Sequence, residues 1–146
     1  MFKISVGQMD SLALGMGRRF EQRLVSYVNQ AFPEEARQLA AKAGADGHAD
    51  GVVRFVSAGI EHADAMNIVN DADIACFIAL ILANLRLGPD QAEALGWTKA
   101  MLDRGDVPGG LKIDWIVSRL TDFAADDAAA AAALSWLAEA RQRFTA

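Results

Sequence analysis

The side chains able to do chemistry are few and scattered. His48 and His62 fall fourteen positions apart on one expected helix. Fourteen steps of about 100° return to nearly the same face, but at about 1.5 Å per residue the rings stand roughly 21 Å apart. They cannot share a metal ion. Glu61, His62 and Asp64 carry ligand-type atoms, yet neighbouring helical positions point apart and no cysteine or second histidine joins them. A haem pocket would need a histidine on a strongly apolar stripe with a distal partner, and neither histidine has that setting. Ser5, Ser11, Ser26, Ser57, Ser118 and Ser135 lie in helical segments, none in the G-x-S-x-G turn that exposes a nucleophile. Cys76 sits in the most apolar stretch, where a thiolate is disfavoured. The carboxylate pairs Asp71/Asp73 and Asp126/Asp127 stand at helix starts, where capping accounts for them. Gly15-Met16-Gly17 lacks the strand, third glycine and lysine of a phosphate loop. The expectation is a protein that is not an enzyme and that holds no cofactor and no metal.

What remains is recognition. Arg18, Arg19 and Arg23 form the one basic grouping; Arg19 and Arg23 share a helix face, with Arg18 one step round. Their ordinary role is a solvated face, and their functional role would be docking to an acidic partner. Trp97, Trp115 and Trp136 suit core or groove packing, while a tryptophan at a partly exposed helix end, such as Trp97, is also an interface candidate. The candidate partner-binding residues are therefore Arg18, Arg19, Arg23 and Trp97.

Charge limits the partner. The net charge is −5, and residues 61–146 carry seven Lys/Arg against thirteen Asp/Glu. Phosphate neutralisation needs a clustered basic surface, so nucleic acid is disfavoured and another protein is expected. A lone buried thiol suits a reducing compartment, and the N-terminal stretch has no apolar run of signal-peptide length. The expected location is the cytoplasm. Nothing in the sequence sets the oligomeric state.

These residues must be positioned by helices, because alternating strand patterns are nearly absent. Within Asn70 to Leu87, the part from Ile74 has only Asn84 and Arg86 as polar residues and so is apolar nearly all round, the signature of a buried helix or a membrane span. Its uninterrupted run, Ile74 to Ala83, is ten residues, whereas a bilayer needs about 20. No membrane span is expected. Around this centre the pattern predicts helices over about 5–32, 34–43, 48–63, 97–104, 111–124 and 126 onward. Phe2 and Ile4 are expected to tuck under the bundle, Ala45–Gly47 to turn, Gln91–Leu95 to make a loose helical turn, and Asp106–Gly110 to form a breaker-rich turn. Pro33 suits a first helical position followed by Glu34 and Glu35, and Asn70 or Asp71 is the expected cap of the central helix. With 146 residues the expectation is a single all-α domain, 1–146: one compact bundle of six or seven helices around the buried helix at about 70–87.

The order of these features resembles a family of small helical proteins encoded beside secreted effectors of bacterial type VI systems. The resemblance rests on Arg18-Arg19-Phe20, Phe32-Pro33, Gly59-Ile60-Glu61-His62-Ala63, the acid-capped central helix ending at Gly88-Pro89-Asp90, and the short helix from Trp97 to Leu102. It covers about residues 5–120 and departs from the family after Asp90, where a second aromatic–acid pair is missing. The resemblance implies a non-enzymatic adaptor or chaperone that holds an effector or its spike-tip carrier before loading. An immunity protein that neutralises a toxin is the alternative. A small-ligand sensor would need an enclosed pocket beside Phe77, against the tight filling of the central helix.

Overall fold

The computed structural model describes residues 6–43, 51–88 and 95–145, with side chains from Arg19 onward in the first helix and up to Ala41 in the second. Among the described residues there are seven helices and no strand: α1 (Val6–Ala31), α2 (Pro33–Ala43), α3 (Gly51–Ala65), α4 (Asp71–Leu87), α5 (Trp97–Leu102), α6 (Gly109–Phe123) and α7 (Ala128–Arg143). The protein is all-α, as its patterning requires. Contacts divide it into two compact units, Met1–Val56 and Ser57–Ala146, with the division inside α3. The lead-in with Phe2 and Ile4, the turn at Ala45–Gly47, His48, the Pro89-Asp90 break and the turn from Gln91 to Ala94 lie outside the described residues.

In the first unit, Phe32 joins two helices with its own backbone. Its N–H donates to Val28 O at 2.8 Å, closing α1, and its C=O accepts from Ala36 N at 2.9 Å, opening α2. Pro33 follows as the first residue of α2, where a missing N–H costs nothing. The Phe32 ring is fully buried and meets Tyr27 edge-on at 6.1 Å, with Leu24 and Val28 completing the apolar stripe of α1. α3 can begin against α2 only because Gly51 has no side chain: a Cβ there would stand 1.9 Å from Leu39 O.

The second unit is built on α4. Asn70 caps it, Oδ1 accepting from Ala72 N at 2.9 Å, and Gly88 ends it with φ 78°. Every residue from Ala72 to Leu80 is buried, as are Leu82 and Ala83. The helix is enclosed because α7 lays a stripe of small residues, Ala129, Ala130, Ala133 and Ala140 with Leu137, along it, and α6 adds Ile113, Ile116 and Leu120. Alanine lets two helix axes approach closely, so the Ala-rich tract serves packing as well as helix propensity. Asp127 caps α7 by accepting from Ala129 N and Ala130 N at 2.9 and 3.3 Å.

Three boundaries differ from the sequence pattern. α3 continues to Ala65 and closes through a left-handed residue, Asn67 (φ 62°), with Ile68 N bonded to Ala63 O at 2.8 Å and Asn67 N to Asp64 O at 3.0 Å. This six-to-one closure with buried Ile68 folded back gives the helix more length than the Asp64–Met66 corner suggests. Gly109 and Gly110 belong to the first turn of α6, not to the preceding loop. A Cβ on Gly109 would lie 2.0 Å from Asn67 O, so glycine is needed for backbone approach rather than for breaking the helix. The short helix also stops at Leu102 instead of Arg104, its end closed by Asp103 N on Lys99 O at 2.9 Å.

Candidate functional site

On the first unit, Arg19 and Arg23 are exposed and one turn apart on α1. Beside them a groove of about 420 Å3 is lined by Glu21, Gln22, Val25 and Ser26 of α1 and Val53 of α3. Gln22 and Ser26 fall within about 60° of Arg19 on the helical wheel, so the arginine row edges the groove. The lining gives an apolar floor at Val25 and Val53 with an amide, a hydroxyl and one carboxylate, Glu21, and the arginines outside it can meet the acids of an amphipathic helix laid along the floor. Arg18 belongs to α1, but its side chain lies outside the described residues.

Trp97 falls in the other unit. It starts α5, is half-buried, and meets Phe123 edge-on at 5.9 Å. At the opposite end of the same helix pair, the Arg104 guanidinium lies 5.8 Å from the Trp115 ring centre. Arg104 is also held by Asp106 through Nε–Oδ1 (3.1 Å) and Nη2–Oδ2 (2.7 Å) bonds. That bond raises the arginine's pKa and lowers the carboxyl's, as expected of an exposed fork. Between the two aromatic couples runs an open groove of about 410 Å3, lined by Met101, Arg104, Trp115, Ser118, Arg119 and Asp122. Phe77, beside which an enclosed ligand cavity would have to lie, is buried and lines neither groove.

Two buried polar devices in this unit escape the sequence pattern. Arg141 reaches from α7 to Asp73 on α4 (Nη2–Oδ1, 3.3 Å) and to Asp114 on α6. Asp73 is only 12% exposed at its side chain, and burial raises its carboxyl above the ordinary value despite the pull of Arg141, with Asp114 adding to the rise. Burial also pushes the Cys76 thiol up to about 12, so the thiol stays protonated and inert. Arg141 is shared by two carboxylates on two other helices, and the nearby Cys76 thiol stays protonated, so this cluster ties α4, α6 and α7 together. Lys112 is the second device: it is 2% exposed, and its Nζ donates to Leu102 O at 2.8 Å and Met66 O at 3.1 Å. It thereby binds the C-terminal ends of α3 and α5, where the helix dipole favours a cation. Among the described residues no group of three or more His, Cys, Asp or Glu is placed to hold a metal ion.

No signal local to Asp73 or Lys112 distinguishes them from first-turn charges, because their partners are 68 and 46 or 10 residues away. No family model matches this chain, and no curated protein or solved structure matches it either.

Proposed function

We propose that this protein is a non-catalytic, protein-binding adaptor or chaperone that holds a secreted bacterial effector or its spike-tip carrier before loading. The observation that carries the binding part is the α1 groove: an apolar trough at Val25 and Val53 beside exposed Arg19 and Arg23. An amphipathic helix of the partner would lay aliphatic side chains in the trough and carboxylates against the guanidiniums. Trp97, half-buried at the start of α5, offers a second contact on the other unit. The secretion-linked class is supported by the order of sequence features from Arg18-Arg19-Phe20 to Trp97.

The test is affinity capture of the tagged protein from its native host, run with the wild type and with an Arg19→Glu/Arg23→Glu variant. Both positions are exposed, so the variant should keep the wild-type circular dichroism and melting curve. The wild type should recover an effector or its carrier, and the variant should lose it. Recovery of neither, or recovery unaffected by the variant, would overturn the reading. The alternative, an immunity protein, is favoured by the exposed carboxylates of the second unit, including Asp71, Asp103, Asp122 and Asp126. Rescue of cells that co-express the captured toxin would select it; loading of the toxin without rescue would select the adaptor.

A further inference from the structure

The α1 groove holds one charge of the opposite sign to its rim. Arg19 and Arg23 are exposed on the α1 side, and Arg54 is exposed on α3, one position past Val53 of the lining. Glu21 lies in the lining itself, four positions before Val25 and so in the same row of α1 as the apolar floor. Arg19 and Arg23 each fall about 160° from it around the helix. Glu21 is half-buried, and among the described residues no cation pairs with it and no donor bonds to it.

A partner lying in the trough covers Glu21. A carboxylate covered without a counter-charge loses its water and gains nothing in return, which is costly, whereas an ion pair at an exposed rim contributes little. The two kinds of charge therefore do different work. The cationic rim draws an acidic partner in, and the interior carboxylate decides which acidic partner can stay. A helix acidic at every polar position would set a like charge against Glu21, and one with a wholly apolar stripe would cover Glu21 unpaired.

The helix that satisfies both has acids on its flanks, for Arg19, Arg23 and Arg54, and one lysine or arginine within its apolar stripe, for Glu21. Such a side chain can lay its aliphatic stem along Val25 and Val53 and bring its charged head to the carboxylate. We propose that Glu21 sets the specificity of the α1 groove by requiring a single basic side chain in the apolar stripe of an otherwise acidic amphipathic helix. This rests on the reading of the α1 groove as the partner site.

The experiment uses a displayed library of amphipathic helical peptides in which each stripe position is Leu, Lys or Glu and each flank position Ser, Lys or Glu. It is selected on the full wild-type chain, on Glu21→Gln and on Glu21→Lys, each checked by circular dichroism and melting. The wild type should enrich peptides with glutamates on the flanks and one lysine in the stripe. Glu21→Gln, which keeps the shape of the side chain, should lose the preference for that lysine, and Glu21→Lys should turn it to glutamate, with the flanks acidic throughout. Made singly, an enriched peptide should bind the wild type about tenfold more tightly than its counterpart with leucine in place of the lysine, and Glu21→Gln should bind the two alike. Enriched peptides with no basic stripe residue, or a stripe lysine that Glu21→Gln selects equally, would overturn the assignment of Glu21 while leaving the groove as the site. Enrichment that Arg19→Glu/Arg23→Glu leaves unchanged, or no enrichment at all, would instead overturn the groove reading and this inference with it.

Discussion

Lys112→Met tests whether the buried ammonium is what closes the ends of α3 and α5. Methionine keeps the length and apolar stem of lysine but cannot donate a hydrogen bond. Two charge-assisted bonds are lost, to Leu102 O at 2.8 Å and Met66 O at 3.1 Å. Each such bond contributes about 1.5–3 kcal/mol, and the two carbonyls stay behind because they belong to the backbone. That separates this site from a buried ion pair, where both charges can be replaced together at little cost. Relief from burying the ammonium offsets part of the loss, leaving a net destabilisation of about 2 kcal/mol. For a chain of this size that is a fall in melting temperature of roughly 6 °C. All three tryptophans, at 97, 115 and 136, lie within Ser57–Ala146, so indole fluorescence during urea titration reports this unit specifically. Lys99→Met, at an exposed position of α5, is the control and should stay within about 0.5 kcal/mol of wild type. Equal urea midpoints for Lys112→Met and Lys99→Met would refute the argument, since the two carbonyls would then have other partners.

Two further predictions concern α4. Burial raises the folded-state pKa of Asp73 above its ordinary 3.8, so its contribution to stability is fully present below that value and is lost as pH rises through the raised one. Asp73→Asn should therefore gain stability relative to wild type between about pH 3 and about pH 7 in urea titrations, and a variant that loses stability relative to wild type over that range would reverse the assignment. Ile78→Asp puts an unpaired carboxylate at a fully buried position that faces Gly59, and should abolish cooperative unfolding at neutral pH; an unchanged melting temperature would show that the core has been misplaced.

The fold was legible where a local rule decides the outcome. The apolar run from Ile74 to Ala83 has no face to give to water, so α4 had to be buried whatever surrounds it. Phe32-Pro33 and Asn70 act through bonds to residues within four positions, and such bonds can be read from order alone. The misplaced boundaries have the opposite character. Gly109 reads as a breaker, but its absent Cβ is demanded by the carbonyl of Asn67, a contact across the loop that contains α5. Arg19, Arg23 and Trp97 could be nominated from exposure and residue type, while the grooves beside them depend on Val53 and on residues 115–122 folding back into place.

The illegible polar contacts share one element. Lys112 and Asp114 both lie on α6, on either side of the buried Ile113. One ties the helix to the ends of α3 and α5; the other ties it, through Arg141, to α7 and, through that same guanidinium, to Asp73 of α4. Each tether restrains a rotation of α6 about its own axis, since a turn that improved one would pull the other apart. The outward side chains of the helix are thereby presented in a fixed orientation. Lys112→Met should therefore loosen the hold on α6 as well as the ends of α3 and α5, whereas Arg119→Glu, at an exposed position of the same helix, should leave the urea midpoint of the unit within about 0.5 kcal/mol of wild type.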